Sequence, residues 1–205
     1  MGSEMCIRDR TPYGFRAVNE LGGLPYAGST RSFLIDPAGY AANIYNGNVV
    51  ALVAGYLQNV TTVGSSSGNV FPVGTIGVFV GCSYVNAQGQ TVFSQYYPSG
   101  ALNAVAFVID DDRAVFQVQA DGPITQAELG QNVILAAAQS NSTGSTISGN
   151  STIAVSGTAA ATSTYAFRIV GFAQGPDQAV GDAKTDILVK FNVGVHSYSN
   201  ATGIA

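Results

Sequence analysis

The sequence has no tryptophan, one histidine and two cysteines, and only 10% of its residues are charged. Each shortage excludes something. Cys6 falls within the first ten residues, so the rest of the chain holds Cys82 alone. One thiol makes neither an intramolecular disulfide framework nor a cysteine-cluster metal site. His196 is the sole imidazole, which leaves little material for histidine-based catalysis or zinc binding. Lys and Arg number 8 against 12 Asp and Glu, a net charge of −4. That is not the basic footprint of a nucleic-acid surface. The longest apolar stretch, around residues 49–57, is far short of the ~20 residues that span a bilayer as a helix.

What is present is glycine (25), tyrosine (10), phenylalanine (10) and many small polar residues. No Asp, Glu, Lys or Arg occurs between Asp36 and Asp110, nor between Glu128 and Arg168. Ordinary soluble domains are about one quarter charged. Disorder does not explain the gap, because β-branched and aromatic residues are plentiful and net charge is low. Two readings are compatible. The chain is a β-rich body kept in solution by Ser, Thr, Asn and Gln. Part of its surface is also covered by other subunits, since interface cores are poor in charge and rich in aromatics.

Short β-branched or aromatic runs between turn residues predict an all-β fold, a β-sandwich or barrel-like body with little helix. Strands are expected at 31–35, 49–54, 58–62, 76–85, 91–96, 104–109, 114–120, 132–137, 152–155, 165–172 and 185–193. Two hairpins are expected. One joins 76–85 to 91–96 through Asn86-Ala87-Gln88-Gly89-Gln90. The other joins 105–109 to 115–118 through Asp110-Asp111-Asp112-Arg113. A brief helical turn is expected at 125–129, where Thr125 and Glu128 have capping-box spacing and Gly130 stops it. Residues 63–69 and 139–150 read as loops. Residues 11–30 are broken by Pro12, Gly14, Gly22, Gly23, Pro25 and Gly28, with aromatic and apolar residues interleaved. They predict a long Gly/Pro-rich N-terminal arm that packs on something. Residues 31–205 then form a single β-rich domain, with 98–102 as the one place where two lobes could divide. No internal repeat is visible.

Candidate chemistry is sparse. Three consecutive carboxylates at Asp110–Asp112 cannot all face one ion, so they read as a turn with solvated charge. Glycoside hydrolysis needs two carboxylates set across a sugar cleft, and nothing in the pattern supplies them. Gly77 and Gly81 lie inside a strand pattern and mark a bulge or close backbone approach, not a phosphate loop. Cys82 reads as a buried structural thiol and His196 as an exposed residue near a polar tail. No catalytic, metal-binding or cofactor-binding residue is expected.

Three stretches carry a resemblance. They are Thr11-Pro12-Tyr13-Gly14-Phe15-Arg16, Phe107-Val108-Ile109-Asp110-Asp111 running into Val115-Phe116-Gln117-Val118-Gln119, and Phe167-Arg168-Ile169-Val170-Gly171-Phe172 leading to Pro176-Asp177-Gln178. Together they resemble a group of tailed-bacteriophage virion structural proteins, over Thr11 to Asn192. The resemblance implies a non-enzymatic head decoration, or cement, protein on the phage head surface. Its partners would be the major capsid protein and further copies of itself, with no nucleic acid and no membrane. An extended arm could add a strand to a capsid subunit. Tyr13, Phe15 and Arg16 are the candidate contacts, because aromatics and Arg are the usual interface anchors. The other possibility is that the arm packs on its own domain, as many termini do. Residues 1–10, MGSEMCIRDR, read as a translated sequencing-adaptor scar preceding the natural sequence of an environmental phage. The alternatives are a phage tail or fibre component, or a secreted carbohydrate-binding or adhesive β-sandwich.

Overall fold

The computed structural model describes residues 11–65, 68–173, 175 and 178–203. Residues 1–10, two residues of the 63–69 loop and Pro176-Asp177 of the third motif lie outside them.

The fold is all-β. In chain order the strands are β1 (Arg16–Glu20), β2 (Arg31–Leu34), β3 (Ile44–Tyr45), β4 (Val49–Val53), β5 (Tyr56–Asn59), β6 (Thr75–Val85) and β7 (Thr91–Ser94). They continue with β8 (Tyr96–Tyr97), β9 (Leu102–Ile109), β10 (Ala114–Gln119), β11 (Asn132–Val133), β12 (Phe167–Phe172) and β13 (Asp186–Phe191). The first sheet has the order β1-β10-β13-β12-β11. The second has the order β2-β9-β6-β4-β5, with β7 added to the far end of β6. A two-stranded piece, β3-β8, stands apart. All the ladders are antiparallel.

Side-chain alternation gives the second sheet two different jobs. Ile76, Phe79 and Cys82 of β6 point inward with Val50, Leu57, Ala104, Ala106 and Val108. The sheet curls around this cluster until β2 and β5 come into contact, and Ile44 and Tyr97 of the small sheet close it. This part is barrel-like. Val78 of β6, with Val49, Ala51 and Ile109, points outward against Phe116, Val118, Phe167, Ile187 and Val189 of the first sheet. That part is a sandwich.

Gly77 and Gly81 do mark irregular backbone. Gly77 has φ +147, and a Cβ there would collide with the Ile109 carbonyl oxygen. Gly81 follows the bulge at which β6 gains a residue over β9.

The hairpin expected around Asp110–Arg113 does not form. β9 pairs with β2 and β6, whereas β10 pairs with β1 and β13. The turn chemistry is as read: Asp111 Oδ1 accepts from Arg113 N–H at 2.8 Å. Yet both edges of β9 are already occupied, so the chain turns a corner from one sheet into the other. The chain therefore crosses between the two sheets at 110–113, as it also does between β1 and β2, and 98–101 links β8 to β9. Asp110 is not a solvated charge either. It is buried, with its carboxylate 2.9 Å from both the Arg31 guanidinium and the Tyr198 hydroxyl.

Other differences have similar causes. The segment 152–155 is buried but makes only isolated bridges, through Val155 to Ala120 and Leu135. The strand expected at 132–137 shortens to β11. The helical turn is present as a 3-10 turn at Gln126–Glu128, with the Thr125–Glu128 capping box and Gly130 at φ +86. Residues 139–150 are a loop, but an anchored one. Gln139 is buried; its amide accepts from Val49 N–H at 2.7 Å and donates to the Val49 and Val60 carbonyls at 2.7 and 2.8 Å.

His196 is 1% exposed, not at the surface. Its Nε2 lies 2.8 Å from the Ile76 carbonyl, and its Nδ1 accepts from Tyr198 N–H at 3.2 Å. The first contact needs a proton and the second needs a lone pair, so the ring fits as the neutral Nε2–H tautomer. Burial lowers its pKa below the ordinary 6.5, against the pull of the Ile76 carbonyl and Asp110–Asp112. Unfolding therefore takes up a proton below about pH 6.5. The stabilisation from neutral His196 is fully present above that pH and is lost as pH falls toward the folded-state pKa. Thermal melts from about pH 7.5 down to about 5.5 should show a falling Tm. The His196→Gln variant should have a flatter profile over that range, and equal slopes would contradict the assignment.

Candidate docking face

The outward face of the second sheet is only half covered. At one end Val49, Ala51, Val78 and Ile109 lie under the first sheet. At the other end the same face is open. Register fixes who stands there: Leu34 opposes Val105, Val105 opposes Ser83, and Ser83 opposes Phe93. A second row runs Ser32, Phe107, Gly81. Leu102, opposite Val85, extends the patch. The intervening row of Phe33, Ala106 and Cys82 points the other way, into the barrel core.

Phe93 is 76% exposed, Leu34 59% and Leu102 50%. Single exposed apolar residues are ordinary on protein surfaces, but contiguous ones mark contact surfaces. A notch of about 300 Å³ is lined here by Gly81, Cys82, Phe93, Ser94, Gln95 and Phe107. No residue of the patch is charged: its members on β6, β7 and β9 fall within the uncharged stretch from Asp36 to Asp110, and Ser32 and Leu34 of β2 are uncharged. Cys82 lies beneath as the buried thiol expected. Burial pushes it up to about 12, so it is an apolar filler rather than a nucleophile.

The three sequence-derived contact residues separate. Phe15 is in the chain's own core, 1% exposed, with ring centroids 4.8 Å from Phe167 and 6.3 Å from Phe116. It has no surface to offer a partner. Tyr13 is half-buried and its hydroxyl donates to Asp186 at 3.1 Å. Burial first, and then the charge of Asp186, hold its phenol well above the ordinary range. Gln117, Gln119 and Gln178 donate to the same carboxylate. Arg16 is exposed, with its guanidinium 4.6 Å above the Tyr13 ring. Residues 11–20 are thus part of the domain, and β1 is an edge strand of the first sheet. Residues 21–30 are mostly exposed but not a free arm: Glu20 N–H donates to the Leu24 carbonyl at 2.8 Å, Asn19 bridges Pro25, and Tyr26 N–H donates to the Val18 carbonyl at 3.4 Å, so the chain turns back on β1.

Phe93, Phe107, Leu34 and Val105 were not singled out from sequence as contacts. The signal that leads to them is the long absence of charge. Among the described residues, His, Cys, Asp and Glu are not gathered in threes that could hold a metal ion. Compared with protein-family models, curated proteins and solved structures, the chain matches none.

Proposed function

We propose that this chain is a non-enzymatic structural protein of a tailed-phage virion, docking on capsid subunits as a head decoration protein. The observation that carries the reading is the uncharged, half-open face around Leu34, Val105, Phe107 and Phe93. An apolar, register-ordered patch on a rigid sheet suits association with a fixed protein surface. A shell under internal pressure gains from proteins that bridge its subunits, and many weak docking events on one shell add up through multivalency. The resemblance over Thr11 to Asn192 supplies the virion context.

The test is co-sedimentation with heads stripped of decoration, from the phage whose genome carries the gene. Saturable binding is expected. Leu34→Lys should weaken it by about 30-fold, the equivalent of one interface hot spot. Binding to immobilised glycans with no affinity for heads would overturn the proposal in favour of a secreted carbohydrate-binding module.

A further inference from the structure

Register sets three polar residues in one row on the outer face of the first sheet. Asn132 on β11 opposes Arg168 on β12, and Arg168 opposes Lys190 on β13. Their chain neighbours Val133, Phe167, Ile169, Val189 and Phe191 point the other way, into the core. Arg168 is exposed and Lys190 half-buried. Two like charges directly opposite one another, with Cβ atoms about 5 Å apart, destabilise a sheet. Among the described residues neither side chain has an acid as partner. Asp186, on the same face of β13, is 4% exposed, and its carboxylate already accepts from Tyr13, Gln117, Gln119 and Gln178. The arginine is also held in place. Asn132 is buried; its Nδ2 donates to the Thr162 carbonyl at 2.8 Å, and its Oδ1 accepts from Arg168 Nε at 3.1 Å. That fixes the guanidinium by one nitrogen and leaves its two terminal amino groups without a partner among the described residues. Leu188, two residues before Lys190, shares the face and lies beside Gly171, where an added Cβ would meet its side chain at 3.4 Å.

We propose that this row is a docking surface for an acidic protein segment: a carboxylate bridges Arg168 and Lys190, and an apolar residue two positions along the same extended segment covers Leu188. Charge decides the occupant. A carboxylate between the two cations replaces one repulsion by two attractions, and a guanidinium offers it a matching fork of donors. A neutral or basic partner leaves the repulsion as it is. Nucleic acid, a long polyanion, is opposed by the chain's net charge of −4. A free phosphate ion is bound best where backbone amides form a cradle. Here β12 and β13 are interior strands, so their amides are spent in the ladders on either side. Alternation along an extended segment puts residues two apart on one face, which matches the spacing of Lys190 and Leu188 on β13. The inference goes beyond the virion reading, because the apolar face around Phe93 belongs to the second sheet and takes no part in it.

NMR titration of the full chain at low ionic strength tests it. The probe is the acetylated, amidated peptide Thr-Glu-Thr-Leu-Thr, and the signals followed are the Arg168 Nε–H and the backbone amides of residues 167–169 and 188–190. Saturable shifts are expected, with Kd of about millimolar order. The same peptide with Gln in place of Glu should bind about 10-fold more weakly. Lys190→Gln removes the like-charge pair, so its fold and Tm should hold while its affinity for the acidic peptide falls about 10-fold. Inorganic phosphate is the third arm. No shift at these residues up to about 10 mM peptide overturns the proposal. So do equal shifts with the Gln peptide. Saturation by phosphate with none by the peptide overturns it in favour of a small-anion site. Head binding is a separate assay, and its failure leaves this result standing.

Discussion

Phe15→Ala is expected to lower the unfolding free energy by about 3–5 kcal/mol, the range for truncating a fully buried phenylalanine. Phe15 enters the core from outside regular structure, one residue before β1, and its ring lies among Phe116, Phe167 and their neighbours. Few side chains can collapse into the space it would leave. Phe167 is already held by Phe71 at 5.5 Å and Phe191 at 5.2 Å, and Phe116 by Phe191 at 5.9 Å. The cavity term therefore adds nearly in full to the lost transfer energy. Urea denaturation with an unchanged m-value is the measurement. A loss below about 0.5 kcal/mol is what a surface position would show, and would return Phe15 to the exposed arm.

Gln139→Leu should have the next largest effect, about 2–4 kcal/mol. The volume is nearly conserved, so packing changes little. What is lost is a side-chain amide standing in for a peptide group where the β4–β5 ladder ends. The Val49 carbonyl keeps the Val60 N–H at 3.1 Å. The Val49 N–H and the Val60 carbonyl are each left buried without the amide, at about 1–3 kcal/mol apiece. The same denaturation experiment reads it. A loss below about 1 kcal/mol would mean that the backbone groups find new partners at little cost.

These two residues also show where sequence reading works and where it stops. Runs such as 76–85 and 185–193 were legible because β-branched and aromatic residues between glycines leave few alternatives. The β6–β7 hairpin was legible from its five-residue loop. Phe15 was legible as an anchor but not as an anchor to what. Pro12 and Gly14 break the local pattern, and the ring's partners lie about a hundred residues or more along the chain. The corner at 110–113 failed for a related reason. Four turn residues fit a hairpin and a sheet-to-sheet crossing equally well, and the choice rests on the distant strands β2, β6 and β13. Gln139 and His196 carry no periodic signal. Each is a single polar residue held by backbone that sequence does not place beside it, Val49 and Val60 for Gln139 and the Ile76 carbonyl for His196. The open face was half legible: the missing charge was plain, but the register that sets Leu34, Val105 and Phe93 in one row belongs to the assembled sheet.

The first sheet has a consequence for how the protein is made. Its edge strand β1 is among the earliest parts to leave the ribosome, while β10, β12 and β13 follow about a hundred to 170 residues later. During synthesis the barrel-like half can close soon after β9 emerges, because all its strands are then present. Its outward face must wait bare for the last quarter of the chain. Such late, long-range closure is slow, and it exposes apolar surface while it lasts. The run from Asp36 to Asp110, which supplies most of that surface, has no charged residue to act as a gatekeeper against association in the meantime.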